Sequence, residues 1–339
     1  MQKPLSEIFK QATMKIISAG AASVVYNNPD NQNLVIKKAR DNIRNAKGRY
    51  ISRQKRGFDI IDKIRESGQD CGVNLPEFIS SVKSFDIDTN ETPYQSVTET
   101  KLTGIELTNT KYFALSDKTK NKLASQLAKF MYTLHNMEKP RIATLEDRKQ
   151  DTLYRFPNIS KENLNKFIQQ FKNKNLKQIL TNAATVLWQE IGDDEIIVMT
   201  HGDLRWPNIV YDKPNEKLGV IDFEDAAPSH IYRDFISSPI SFNWDFVQRI
   251  IKKYNNLRKI NNNPIYINAN KIKKLIICSV VNKIVRDTID SESEKDIDNT
   301  EKYRNNLIDQ IEQDLIHKLK TLGLMDVTNN ILYKYITHE

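Results

Sequence analysis

Short apolar runs rich in β-branched residues, separated by small-residue or turn-forming stretches, fill the first hundred positions of the chain. They predict strands over 13–17, 24–26, 34–38, 75–79 and 94–98, after a short leading helix over 6–12. One helical stretch interrupts them: across 43–66, Phe58, Ile61 and Ile64 share a face before Ser67-Gly68 closes the helix. Beyond residue 98 the period changes. Apolar residues recur every three to four positions over 116–137, where Leu123, Leu127, Phe130 and Leu134 form a stripe, and again over 164–188, 246–254, 272–285 and 303–322. Asn261-Asn262-Asn263-Pro264 marks a loop between two of these helices. The pattern is that of an α+β protein, mostly β to residue 98 and mostly helical from 99 to 339.

One island of strand pattern sits inside the helical part. Residues 196–199 are apolar and β-branched, and they lead into His201-Gly202-Asp203-Leu204-Arg205-Trp206-Pro207-Asn208. Pro207 bars a helix and predicts an extended loop. Residues 209–211 read as a second strand, 212–217 as a turn, and 218–221 as a returning strand that sets Asp222 beside Asn208. One carboxylate at Asp203 and two hard oxygen donors at Asn208 and Asp222 thereby converge. Phosphoryl transfer needs that set: a carboxylate to orient an attacking hydroxyl, and oxygen ligands for magnesium on a triphosphate. Arg205 either faces the phosphate or acceptor, or closes a salt bridge within the loop.

The pattern His-x-Asp-x-x-x-x-Asn, followed by an apolar strand ending in Ile221-Asp222-Phe223-Glu224, resembles the aminoglycoside phosphotransferase and choline kinase family, relatives of the protein kinases. The resemblance implies a two-lobed protein-kinase-like fold, with a nucleotide-binding lobe over 1–98 and a catalytic and acceptor-binding lobe over 99–339. It implies Asp203 as catalytic base, Asn208 and Asp222 as magnesium ligands, and His201 as a brace of the loop. Asp234, in Tyr232-Arg233-Asp234-Phe235, stands where such proteins keep an aspartate that pins the catalytic loop from below. His135, at the end of the helix over 116–137, reads as structural.

The same resemblance assigns a nucleotide site to the first lobe. The small-residue loop 18–23 would approach phosphates through Gly20 and the Ser23 hydroxyl, although it is poorer in glycine than the family's usual loop. Lys37, with Lys38 as its alternative on the opposite strand face, would contact the ATP α- and β-phosphates. The helix over 43–66 holds Gln54 where relatives carry the glutamate that pairs with this lysine. Gln54 would accept a hydrogen bond from Lys37, or Asp59 would take the pairing over. Glu99 through Leu102, Lys101 included, would form the connector that binds adenine through backbone groups, ahead of the Gly104 turn.

Composition narrows the alternatives. No run approaches the roughly 18 apolar residues of a membrane helix, and the first residues lack a secretory apolar core, so a cytoplasmic protein is expected. Two cysteines, Cys71 and Cys278, are too few and too far apart for a disulfide framework or a thiolate metal site. The net charge of +8 is scattered among asparagines and acids rather than gathered on an aromatic-spaced basic motif, which argues against nucleic acid. It also argues against a polycationic acceptor, which favours an acidic cleft. The expected activity is transfer of the γ-phosphoryl group of ATP, with Mg2+, to a hydroxyl of a small molecule. A protein acceptor and an inert nucleotide-binding module are the competing readings; oligomeric state is open.

Overall fold

The computed structural model describes residues 15–19, 23–39, 49–84, 94–137, 161–184, 196–236, 242–292 and 301–325. In chain order these form β1 (Ile16–Ala19), β2 (Ser23–Asn27), β3 (Leu34–Ala39), α1 (Arg49–Glu66), β4 (Phe78–Ser84), β5 (Tyr94–Thr100), β6 (Ile105–Glu106), α2 (Asn109–Phe113), α3 (Asp117–His135), α4 (Lys161–Gln169), α5 (Lys174–Ala184) and β7 (Ile197–Thr200). There follow β8 (Ile209–Asp212), β9 (Lys217–Val220), β10 (Ala227–His230), α6 (Arg233–Ile236), α7 (Trp244–Ile260), α8 (Ala269–Glu292) and α9 (Glu301–Thr321). The leading helix expected over 6–12, the first residues of the helix expected from 43, and Gly20 lie outside the described residues. By packing, the chain divides into one unit of residues 1–107 with 201–227 and another of 108–200 with 228–339.

In the first unit five antiparallel strands are ordered β1-β2-β3-β5-β4. Alternation along β3 turns Val35 and Lys37 inward, both buried, while Lys38 is half-buried. α1 buries the predicted stripe of Phe58, Ile61 and Ile64. The strand expected over 75–79 begins three residues late and runs on to Ser84. Pro76 has no N–H to give to a ladder, and the strand starts only after it. A second sheet, β6-β8-β9, joins the segment after β5 to the hairpin that carries the predicted motif. Gly104 makes that join possible, because at φ +131° a Cβ there would fall 2.5 Å from the Tyr211 carbonyl oxygen. Asn74 bridges the same hairpin, donating to Leu218 O at 2.7 Å and accepting from Val220 N at 3.0 Å.

In the second unit α3 buries all four residues of its predicted stripe and packs on α7, whose buried face includes Phe246, Ile250 and Tyr254. Ser116 caps α3, its side chain accepting from Thr119 N. Within the described residues, the single helix expected over 164–188 is two helices, α4 and α5, and 185–188 lie outside those residues. Between them the Glu312 carboxylate of α9 accepts from the backbone N–H of Lys172 (2.6 Å) and Asn173 (2.7 Å), and the Asn173 side chain caps α5. β7 pairs with β10, a strand not predicted.

Candidate active site

The loop that follows β7 is held by its own side chains. His201 donates from Nε2 to the Ile221 carbonyl at 3.0 Å, and its Nδ1 accepts from Asp203 N at 3.3 Å, which fixes one neutral tautomer. Its ring lies 4.6 Å, centroid to centroid, from that of Phe223. Pro207 does not keep the loop extended as expected. It sits inside a single 3-10 turn, Trp206–Asn208, where its fixed φ suits the first positions of a helical turn. The turn carries Asn208 back onto Asp203, and the Asn208 side-chain Nδ2 lies 3.0 Å from Asp203 Oδ2. Ile221 N donates to Asn208 O at 3.0 Å, so the loop and the end of β9 are tied twice through Ile221.

Asp222, next in the chain, adopts a left-handed backbone conformation (φ +69°, ψ +59°). Aspartate is among the few residues with a side chain that tolerate it, and such strain gathers at functional positions. Behind it, 223–225 forms a 3-10 turn against α1. The contact is close: a Cβ on Gly57 would fall 2.7 Å from Phe223 O. Polar groups complete it. Gln54 Nε2 donates to Glu224 Oε2 at 2.9 Å, Arg53 pairs with Asp225, and Arg56 reaches Glu224 O at 3.4 Å.

This arrangement adds a donor role for Gln54 to the acceptor role expected of it. Its amide N–H is given to Glu224, and Asp59 is exposed on α1. Lys37 Nζ lies 3.1 Å from Glu99 Oε1 and 3.5 Å from Asp222 Oδ1. Glu99 is accordingly a buried strand residue of β5 rather than part of a connector. Lys101 does follow the strand. It is exposed, its N donates to Asn33 O at 2.7 Å, and its Nζ reaches Asn27 Oδ1 at 3.1 Å. Ser23 opens β2, half-buried opposite Ala39. Removing one partner of a buried ion pair such as Lys37–Glu99 typically costs about 3–5 kcal/mol, because the other charge is left buried and unpaired.

The electrostatics follow from burial. Burial pushes the Asp203 carboxyl above its ordinary value, and the Arg205 guanidinium opposes that rise. Arg205 Nε lies 2.9 Å from Asp203 Oδ2, an ion contact without hydrogen-bond alignment. The loop salt bridge expected as one role of Arg205 is present. Burial and the neighbouring Asp222 raise Glu224 as well, with Arg53 pulling it down. Among the described residues no three His, Cys, Asp or Glu side chains are arranged to hold a metal ion by themselves. Asn208 and Asp222 instead offer one amide and one carboxylate oxygen. That set suits magnesium, which prefers few protein oxygens and fills its octahedron with water and phosphate.

Asp234 belongs to the second unit, where its Oδ2 lies 3.1 Å from His135 Nε2. Arg258 donates from Nε to Tyr254 Oη at 3.0 Å, so the tyrosine gives its own proton to His135 Nδ1 at 2.8 Å. His135 is therefore protonated at Nε2 and donates to Asp234. Burial, with help from Arg258, holds its pKa below the ordinary histidine value, against the pull of Asp234. The sequence pointed to Asp234 and His135 separately and missed that they are partners. It also missed Glu99 as the partner of Lys37. Only the inward facing of Glu99 had a signal: Val97 and Glu99 are two apart on one strand, so the inward turn of Val97 carries Glu99 with it.

Over residues 13–255 the sequence matches the phosphotransferase enzyme family. A comparison with curated proteins finds no significant match. Among solved structures, the chain is similar to the aminoglycoside phosphotransferase APH(2″)-IIIa in its GDP and kanamycin complex, with 16% identity and a TM-score of 0.60 over 93% of this chain and 99% of that one. ADP-bound aminoglycoside phosphotransferase APH(2″)-Ib gives 17% identity and 0.51 over 94% and 99%. The amicoumacin kinase hAmiN, in complex with AMP-PNP, Ca2+ and Ami, gives 12% and 0.51 over 93% and 94%. At these identities the likeness is one of fold, and it agrees with the kinase-like α+β architecture expected from the sequence.

Proposed function

The chain belongs to the phosphotransferase enzyme family, and on that premise we propose that it moves the γ-phosphoryl group of ATP, with Mg2+, to a hydroxyl of a small molecule. The observation that carries the reading is the double tie through Ile221, which holds Asp203, Asn208 and Asp222 in one rigid assembly. Asp203 orients the acceptor hydroxyl and takes its proton as the new P–O bond forms and the bond to the leaving ADP breaks. Its burial keeps the carboxylate basic, and Arg205 keeps it ionised. Lys37 binds phosphate oxygens. Asn208 and Asp222 would hold Mg2+, which when bound draws charge off the β- and γ-phosphate oxygens. His201 and Asn208 fix the loop, so catalysis rests on position and electrostatics with no covalent intermediate on the protein.

The nucleotide and small-molecule ligands of the structurally similar kinases support this substrate pairing: GDP with kanamycin in one, AMP-PNP with Ca2+ and Ami in another. The nucleotide-binding lobe would span 1–98, with Lys101 opening the connector after β5. Among the described residues no helix is long and apolar enough to cross a membrane, and the reading is of an enzyme working in the cytoplasm, where ATP is made. The inert-module alternative drew on Gln54, and with an acid paired to Lys37 it loses that support.

The test is transfer of γ-labelled phosphate from ATP, and in parallel GTP, into a protein-free metabolite extract and into kanamycin, with products separated by mass. A labelled small molecule from the wild type, with the rate reduced roughly 10²–10⁴-fold in Asp203→Asn, is the expected result. Equal labelling by the two proteins removes Asp203 from the mechanism. Label appearing only in added protein moves the acceptor to the protein class.

A further inference from the structure

α1 presents an amide where a carboxylate is expected, and the N–H of that amide is given to Glu224. Lys37 nevertheless has an acid. β3 and β5 run antiparallel with Val35 opposite Glu99 and Lys37 opposite Val97, which makes Lys37 and Glu99 diagonal neighbours on the inward face of the sheet. Both are buried, at 4% and 3% exposure, and the ammonium sits 3.1 Å from Oε1. On its other side the ammonium meets Asp222, 3.5 Å away. A lysine stem is long and rotamer-rich, and a fixed carboxylate in a dry site selects one geometry from that freedom.

We propose that Glu99 is the positioning residue for Lys37, aiming its ammonium at the nucleotide phosphates from within the sheet. The inference rests on the phosphotransferase reading. Glu99 makes no contact with phosphate under this scheme, and its charge by itself repels one, so every benefit it gives must pass through Lys37. The signature is a defect confined to the phosphate-bearing part of the ligand and dependent on the lysine. A residue that only maintained the sheet would weaken nucleoside and nucleotide alike.

Calorimetry on the full chain separates the cases, with Mg-ATP and adenosine as probes and the wild type, Glu99→Gln, Lys37→Met and the double variant as proteins. Glu99→Gln should weaken Mg-ATP by about tenfold or more while leaving adenosine within about twofold. In the Lys37→Met background the same change should add less than about twofold, as expected for two groups that act as one unit. Mg-ATP binding that is unchanged or tighter in Glu99→Gln overturns the inference, as does an equal loss for adenosine. Should Glu99→Gln fail to fold, Glu99→Asp keeps the charge on a shorter stem. Weaker Mg-ATP with adenosine retained supports the proposal there, and wild-type Mg-ATP affinity overturns it. A wild type that binds neither Mg-ATP nor Mg-GTP removes the phosphotransferase reading and this inference together. Loss of Mg-ATP binding in Lys37→Met but not in Glu99→Gln removes this inference alone.

Discussion

Asn208 gives its side-chain amide to Asp203 twice, at 2.8 Å to the main-chain carbonyl and at 3.0 Å to the carboxylate. With the nitrogen so engaged, the amide oxygen is the atom left to offer a cation. On the proposed reading one residue would fix the base and front the metal position, and the two duties can be separated by substitution.

Asn208→Ala removes both ties and the oxygen donor. A displacement of Asp203 by about 1 Å is enough to lower kcat about 10²-fold, and the lost hydrogen bonds should lower stability by about 1–3 kcal/mol. Asn208→Asp restores an oxygen donor but sets a second carboxylate against Asp203. It should recover magnesium-dependent ATP affinity without recovering kcat, which steady-state kinetics and calorimetry on the two variants would resolve.

Asp222 combines a charge with a left-handed backbone. Asp222→Asn keeps a side chain that tolerates that conformation and should unfold within about 0.5 kcal/mol of the wild type, whereas Asp222→Val adds backbone strain of about 1–3 kcal/mol. Both should bind Mg-ATP more weakly. In EDTA their ATP affinities should converge on the wild type's; a gap that persists without metal would argue that Asp222 acts on the nucleotide by another route.

Gly57 is the close point between α1 and the residues after Asp222. A methyl group in Gly57→Ala meets backbone atoms that cannot rotate away, so the helix or the turn must shift at a cost of about 1–3 kcal/mol. Because Phe223 follows Asp222 directly, Mg-ATP affinity should fall along with the urea midpoint. Wild-type values for both would show that the contact is loose in solution.

His135 sets a pH dependence of stability. The groups facing it are Asp234, Tyr254 and Arg258, and burial keeps it neutral in the folded chain. Its folded pKa lies below that of the unfolded chain, about 6.5. The unfolded state therefore binds more protons below that pH, and stability rises with pH there. The contribution is complete above about pH 6.5 and is lost as pH falls toward the folded value, with a slope of at most about 1.4 kcal/mol per pH unit for one proton. Urea unfolding between about pH 5 and 7.5 should show this slope, and His135→Gln, whatever its absolute stability, should flatten it.

What the sequence disclosed depended on how local the cause was. Asp203, Asn208 and Asp222 were legible together because a strand, a turn and a hairpin of a few residues each bring them round. The α3 stripe was legible because one helix period defines it. The Lys37–Glu99 pair required the register of two strands separated by α1 and β4, and nothing in either strand states that register. The break between α4 and α5 is stabilised by Glu312, more than a hundred positions away. β10, Ala-Pro-Ser-His, has no apolar alternation at all, and its partner β7 makes it a strand.

The division of the chain bears on how it is made. Residues 1–107 share their packing unit with 201–227, so Gly104 waits for Tyr211, Asn74 for Leu218, and Gln54 for Glu224. At about 5–20 residues per second, synthesis takes on the order of ten seconds to carry the ribosome from residue 107 to residue 227. During that interval the strands of the five-stranded sheet have been synthesised and the hairpin that completes their unit has not. Contacts of such long sequence separation form late, so the first 107 residues are open to chaperones and proteolysis until the hairpin arrives.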